Sequence, residues 1–177
     1  DPYRWLEDPD SAPTRAWVAA QQSVTNQVLE QLPQRAAFKQ RLTALWNHAR
    51  QSLPIRRGKT WFTLRNDGLQ NQSVLYAAAT PTEVGHILLD PNTLSGDGTI
   101  ALQAWEPSPD GRLLAYALSS GGSDWMDWHV LYVATGKALP DVLAWSKFSG
   151  ASWKRDGSGF FYSRYDPPAG RSMEDIN

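Results

Sequence analysis

Serine, histidine and carboxylate residues all occur in this 177-residue chain, but none is spaced for self-contained catalysis. A serine nucleophile raised on a strand-to-helix turn needs the pattern G-x-S-x-G. The nearest approach, Gly150-Ala151-Ser152-Trp153-Lys154, has lysine where the second glycine belongs and flanks typical of a strand, so Ser152 reads as structural. His48, His86 and His129 show neither H-x-x-x-H nor H-x-H spacing, and there is no cysteine. No catalytic residue, metal site or cofactor is therefore expected within the chain. Gly121-Gly122 and Gly157-Ser158-Gly159 neither open a helix nor carry a phosphate-binding lysine, and read as turns. The segment Ser119-Ser120-Gly121-Gly122-Ser123-Asp124-Trp125 is more suggestive. A polar, glycine-containing loop ending in an acid and a large aromatic presents recognition groups on a rigid scaffold. The competing reading is an inter-strand loop whose tryptophan packs on the next sheet.

The elements that would position such groups change character along the chain. Up to about residue 48 the spacing predicts two helices. Ser11 followed by Pro13 reads as a helix entry, and Trp17, Val24, Val28 and Leu32 recur at helical intervals as far as Pro33. From Gln34 to His48, Phe38, Leu42, Leu45 and Ala49 lie on or follow one apolar stripe. After Pro54 the period becomes two. Strands are predicted at 60–65, 73–79, 86–90, 112–119, 128–134 and 160–164, separated by turns at Asp67-Gly68, Asp97-Gly98, Gly121-Gly122 and Thr135-Gly136.

Two further turns form a repeat. Asp110-Gly111 and Asp156-Gly157 each precede a tyrosine six residues after the aspartate (Tyr116 and Tyr162), and each follows a tryptophan (Trp105 and Trp153). Arg57-Gly58-Lys59-Thr60-Trp61-Phe62 is a fainter copy. Repeats about 50 residues apart with strand content indicate propeller blades. The fold class expected is mainly β, an incomplete β-propeller of two to three blades preceded by two helices. Such an arc has unpaired edges, so either residues beyond Asn177 complete the ring or the chain assembles with others. Most of Trp61, Trp105, Trp145 and Trp153 are expected to pack between blades.

Composition narrows the partners. The net charge of −1 argues against a nucleic-acid or anionic-membrane surface, although the stretch from Gln31 to Asn66 has basic residues and no acid. The aromatics are not interleaved with basic residues as a nucleic-acid stacking platform requires. No apolar run approaches the roughly 18 residues of a membrane helix, and Asp1-Pro2-Tyr3 does not resemble a secretory signal. Neither nucleic acid nor membrane is expected as a partner. The expected compartment is the cytoplasm, with the periplasm as the alternative.

Several stretches resemble the amino-terminal part of the prolyl oligopeptidase family. They are Asp1-Pro2-Tyr3-Arg4-Trp5-Leu6-Glu7-Asp8-Pro9-Asp10, Gly68-Leu69-Gln70-Asn71-Gln72-Ser73-Val74-Leu75-Tyr76, Leu89-Asp90-Pro91-Asn92-Thr93-Leu94, Gly122-Ser123-Asp124-Trp125 and Leu139-Pro140-Asp141-Val142-Leu143. The resemblance runs essentially end to end. It implies that residues 1–47 are the helical lead-in to an α/β-hydrolase domain and residues 48–177 the first blades of a seven-bladed propeller. It also implies a serine peptidase that cuts short peptides after proline, with its Ser-Asp-His triad beyond this chain. The chain would then contribute size selection and a subsite wall, its partners being short proline-containing peptides and the carboxy-terminal hydrolase domain of a monomeric full-length protein.

By the same resemblance three residues lie on the substrate side. Phe148 matches an aromatic lining the subsite two residues upstream of the proline, an ordinary core phenylalanine being the alternative. Asp124 matches an acid that pairs with a substrate-contacting arginine of the hydrolase domain, and Trp125 beside it is the third candidate. Gln103 stands where the family can carry an arginine facing the cavity. A non-catalytic, TolB-like propeller that binds protein partners is the alternative reading of the Asp-Gly repeats.

Overall fold

A computed structural model describes residues 1–167 and Gly170. It divides into two compact units, Asp1–Asn47 and His48–Asn177.

The first unit holds α1 (Ala12–Glu30) and α2 (Arg35–Trp46) after a short 3₁₀ turn, Arg4–Glu7. Ser11 caps α1 as its sequence position predicts, its hydroxyl oxygen accepting from the Thr14 N–H at 3.4 Å. The Thr14 hydroxyl donates to the Trp5 carbonyl at 3.0 Å, and the Trp5 ring meets Trp17 edge-on at 6.3 Å. These contacts fasten the 3₁₀ turn to α1. The apolar stripes stay open to solvent: Trp17, Val24, Val28 and Leu32 on or just after α1 and Phe38, Leu42, Leu45 and Trp46 on α2 are all exposed.

The second unit is three antiparallel sheets. In the first, β3 (Thr60–Asn66) pairs with β4 (Val74–Ala78), which pairs with β5 (His86–Leu89). Along the other edge of β3 run β1 (Arg50–Gln51) and β2 (Ile55–Arg57), two segments of one interrupted strand. The interruption falls at Leu53-Pro54, because proline has no N–H to donate. Ser52 holds the register across it, donating its N–H to the Leu64 carbonyl at 2.9 Å and accepting the Leu64 N–H on its hydroxyl at 3.0 Å.

The second sheet runs in chain order: β6 (Ala101–Pro107), β7 (Leu113–Ser119), β8 (Trp125–Tyr132) and β9 (Leu143–Lys147). The third is β10 (Ser152–Trp153) with β11 (Phe160–Phe161). Strands β1, β2, β6, β9 and β10 are additional to those read from the sequence. Pro107 in β6 and Trp145 in β9, whose φ is 65°, disturb the regular period-two pattern. The third sheet is also shorter than the predicted 160–164, since pairing ends at Phe161.

Alternation on β7 and β8 builds two cores from one sheet. Leu114, Tyr116, Leu131 and Val133 join Phe62, Leu75, Ala77 and Leu88 of the first sheet. Ala115, Ala117, Met126 and Trp128 face the other way, with Trp153, Phe160 and Tyr162 packed against them. The second sheet is thus buried on both faces, as a sheet stacked between two others must be. Trp61, Trp105, Trp145 and Trp153 are half-buried around these cores, and the fully buried indole is Trp128.

The Asp-Gly repeat is geometric as well as sequential. In one copy the Gly111 N–H donates to the Ser108 carbonyl, the Ser108 N–H to the Leu113 carbonyl and the Arg112 N–H to Asp110 Oδ1. In the other, Gly157 donates to Lys154, Lys154 to Gly159 and Ser158 to Asp156 Oδ1.

Candidate functional site

The loop from Ser119 to Trp125 is shaped by its own hydrogen bonds. Gly121 and Gly122 adopt φ of 61° and 77°, which side-chain-bearing residues rarely take. The Gly121 N–H donates to the Thr99 carbonyl at 3.2 Å, and the Ser123 N–H to the Ser120 carbonyl at 3.0 Å. The Trp125 N–H then donates to the Ser123 hydroxyl at 3.1 Å, which fixes where β8 begins. Asp124 is left exposed at the mouth of a cleft of about 760 Å³.

Strand β9 approaches from the other side. Trp125 pairs with Lys147 and Met126 with Ser146, but Trp128 pairs with Leu143. Between those pairs Ala144 and Trp145 oppose the single residue Asp127, so β9 carries a bulge with Trp145 in the left-handed region. The bulge turns the end of the strand and delivers Lys147 to the cleft. Its ammonium lies 3.5 Å from Asp124 Oδ2, 5.0 Å from the Trp125 ring centroid and 5.4 Å from that of Phe148. A lysine side chain 22% exposed thus links all three residues picked out from the sequence.

Phe148 is 78% exposed and has φ of 52°. Among the described residues its ring packs into neither core. A bulky residue held at positive φ with its ring in solvent stores strain without any compensating burial. Trp125 behaves differently. It is buried, meets Trp145 and Tyr165 edge-on at 5.7 and 5.5 Å, and its indole N–H has no hydrogen-bond partner among the described residues. Gln103 donates its amide to the Ser119 hydroxyl at 2.8 Å, and so braces the loop base.

Deeper in the cleft the odd-numbered side of β8 adds Asp127 and His129. Burial pushes the Asp127 carboxyl up, opposed by the neighbouring His129 charge. Burial pushes His129 down, opposed by Asp127, so the imidazole tends to neutrality. Tyr116 stacks on His129 at 5.3 Å and its own hydroxyl is pushed up by burial. Sequence reasoning missed Lys147, Asp127 and His129. The period-two alternation from Trp125 already put the last two on its face. Lys147 could have been found as the residue before Phe148, but its placement depends on the bulge.

This arrangement can bind and orient. Ser152 sits inside β10, paired with Phe161, and so lacks the geometry of a nucleophile on a strand-to-helix turn. Among the described residues no group of three or more His, Asp or Glu is placed to hold a metal, and no helix is long and apolar enough to cross a membrane.

Comparison with known proteins adds the wider context. A prolyl endopeptidase of Elizabethkingia meningoseptica is 46% identical over 170 residues, covering 95% of this chain and 24% of its own length. That of Elizabethkingia miricola is 44% identical over 175 residues, covering 98% of this chain and 24% of its own. A solved structure from work on two prolyl endopeptidases superposes with a TM-score of 0.90 at 32% identity, covering 96% of this chain and 25% of that one. Prolyl oligopeptidase B from Galerina marginata, solved with a 35mer hydrolysis and macrocyclization substrate, gives 0.83 at 32% identity, covering 93% and 26%. The chain spans about a quarter of the length of these relatives. The family model for the prolyl oligopeptidase N-terminal beta-propeller domain matches residues 1–177, and with a three-sheet β unit that superposes so closely on solved relatives, this chain belongs to that family.

Proposed function

We propose that this chain is the propeller-bearing, amino-terminal part of a serine peptidase that hydrolyses short peptides on the carboxyl side of proline. The observation that carries the reading is the 46% identity to a prolyl endopeptidase over 95% of the chain. Residues 1–47 serve as the helical lead-in to a hydrolase domain, which agrees with the open apolar stripes on α1 and α2. Residues 48–177 supply the first blades of a propeller that excludes folded proteins by size. Phe148 forms a wall of the subsite two residues upstream of the proline, and its 78% exposure leaves the ring free to stack on a peptide. Asp124 and Trp125 are joined to it through the Lys147 ammonium. The attacking serine and its base lie outside these residues.

Two measurements test this. The intact protein should cleave a fluorogenic peptide after proline and leave a matched peptide with alanine at that position uncut. A serine-directed fluorophosphonate probe should fail to label the purified 177-residue chain. Stoichiometric labelling of that chain would overturn the assignment of the nucleophile to another part of the protein.

A further inference from the structure

We propose that Lys147 is a specificity-determining residue, whose ammonium turns the Phe148 subsite against basic side chains and towards uncharged or acidic ones. The inference rests on the reading of Phe148 as a subsite wall.

Three observations support it. First, the Phe148 ring already carries a cation, with the Lys147 ammonium 5.4 Å from its centroid. An aromatic ring attracts cations through its negative face. A second cation arriving on this ring would meet the charge of the first. Second, the acid that could welcome a basic side chain is engaged, since Asp124 Oδ2 lies 3.5 Å from the same ammonium. Third, Lys147 is held in place: it is 22% exposed, its backbone pairs with Trp125 across β8 and β9, and its ammonium also lies 5.0 Å from the Trp125 ring. A charge fixed in a partly desolvated position is less screened than a mobile surface one. Asp124, at 57% exposed, is the more hydrated member of the pair and cancels only part of this field. Among the described residues of the cleft lining His129 is the other basic group, and burial turns it towards the neutral form.

In Lys147→Met the side chain keeps an apolar body of similar length but leaves the Phe148 ring face without a cation, so a basic side chain meets no like charge there. Lys147→Arg keeps the charge.

The test uses the intact protein and three fluorogenic peptides that differ only two residues upstream of proline, carrying alanine, glutamate or lysine. Repulsion between unit charges several ångströms apart at a partly hydrated site corresponds to a preference of about fivefold. The wild type should cleave the alanine and glutamate peptides about fivefold more efficiently than the lysine peptide, through KM with kcat little changed. Lys147→Met should bring the ratio to about one or invert it, and Lys147→Arg should restore it. Because a ratio between peptides is read on one preparation, partial loss of folded protein cancels. Cleavage by Lys147→Met with the wild-type ratio overturns the role of Lys147 and leaves the peptidase reading standing. Failure of the wild type to cut any of the three overturns the peptidase reading and this inference with it.

Discussion

Gly58 and Asp110 meet backbone to backbone: a Cβ built on Gly58 would overlap the Asp110 carbonyl group and come within 3.3 Å of its Cα. The contact is reciprocal. A Cβ on Gly111 would press on the Arg57 carbonyl and reach to 3.7 Å from Thr60 Cβ. The turns that repeat along the sequence therefore touch each other in space, turn of one sheet against turn of the next. Each glycine is needed twice, for its φ of 55° or 73° and for the missing side chain.

Gly157 separates these two requirements. It has φ of 70°, yet no atom of the described residues lies within 4 Å of where its Cβ would be. Gly157→Ala should cost only the left-handed penalty, about 1 kcal/mol. Gly58→Ala and Gly111→Ala should cost about 2–4 kcal/mol, since backbone must also move. Urea unfolding of the three variants checks the order, and equal losses at all three positions would show that packing between turns does not matter.

Asp110 ties the same turn to pH. The Arg112 N–H, the Ser108 hydroxyl and the Arg112 guanidinium hold its carboxyl at about 2, against an ordinary 3.8. A carboxyl depressed by folding adds stability that is fully present above its unfolded value and is lost as the pH falls towards the folded one. The window is therefore from about 4 down to about 2. Because Asp110 is largely solvated, the contribution is reduced by screening. The unfolding midpoint of Asp110→Asn should lie below wild type at pH 6 and converge on it as the pH falls through this window. Asp97 and Asp156 are also lowered, but both remain in the variant and cancel in the difference.

Much of the architecture was legible because its signals are local. The Ser11 cap, the glycines at positive φ and the period-two runs of β7 and β8 each depend on a few adjacent residues. What escaped depends on pairing. Strand β9 is masked by its bulge, so Trp145 and Lys147 break the alternation a strand should show. In the site, Asp124, Trp125 and Phe148 were reached through resemblance and by position in a loop. The lysine joining them became visible only once the β8–β9 register brought residues 125 and 147 together.

Trp128 should be the most sensitive aromatic. Its ring is fully buried, and its indole N–H donates to the Ser146 hydroxyl at 3.1 Å, which in turn donates to the Ser163 carbonyl at 2.8 Å. Ser146→Ala removes the relay and strands the indole N–H, at a cost of about 1–3 kcal/mol. Trp128→Ala should cost about 3–5 kcal/mol. Chemical denaturation measures both, and a Ser146→Ala loss below about 0.5 kcal/mol would mean that water replaces the relay.

Phe148 should show stability and function pulling in opposite directions. Its ring is 78% exposed, so folding gains little from it, while its φ of 52° is one that asparagine tolerates far better than phenylalanine. Phe148→Asn should therefore leave stability unchanged or raise it by up to about 1 kcal/mol. The same change removes the apolar surface offered to a peptide, so the KM for proline peptides should rise about tenfold, in keeping with the loss of one aromatic contact of about 1.4 kcal/mol. A thermal melt and a steady-state titration on the same preparation decide the matter. If Phe148→Asn destabilises the protein and leaves KM unchanged, the strained phenylalanine is structural and the subsite wall must be sought elsewhere. If stability holds while KM rises, the backbone strain at Phe148 is retained for binding, because folding alone gives no reason to keep it.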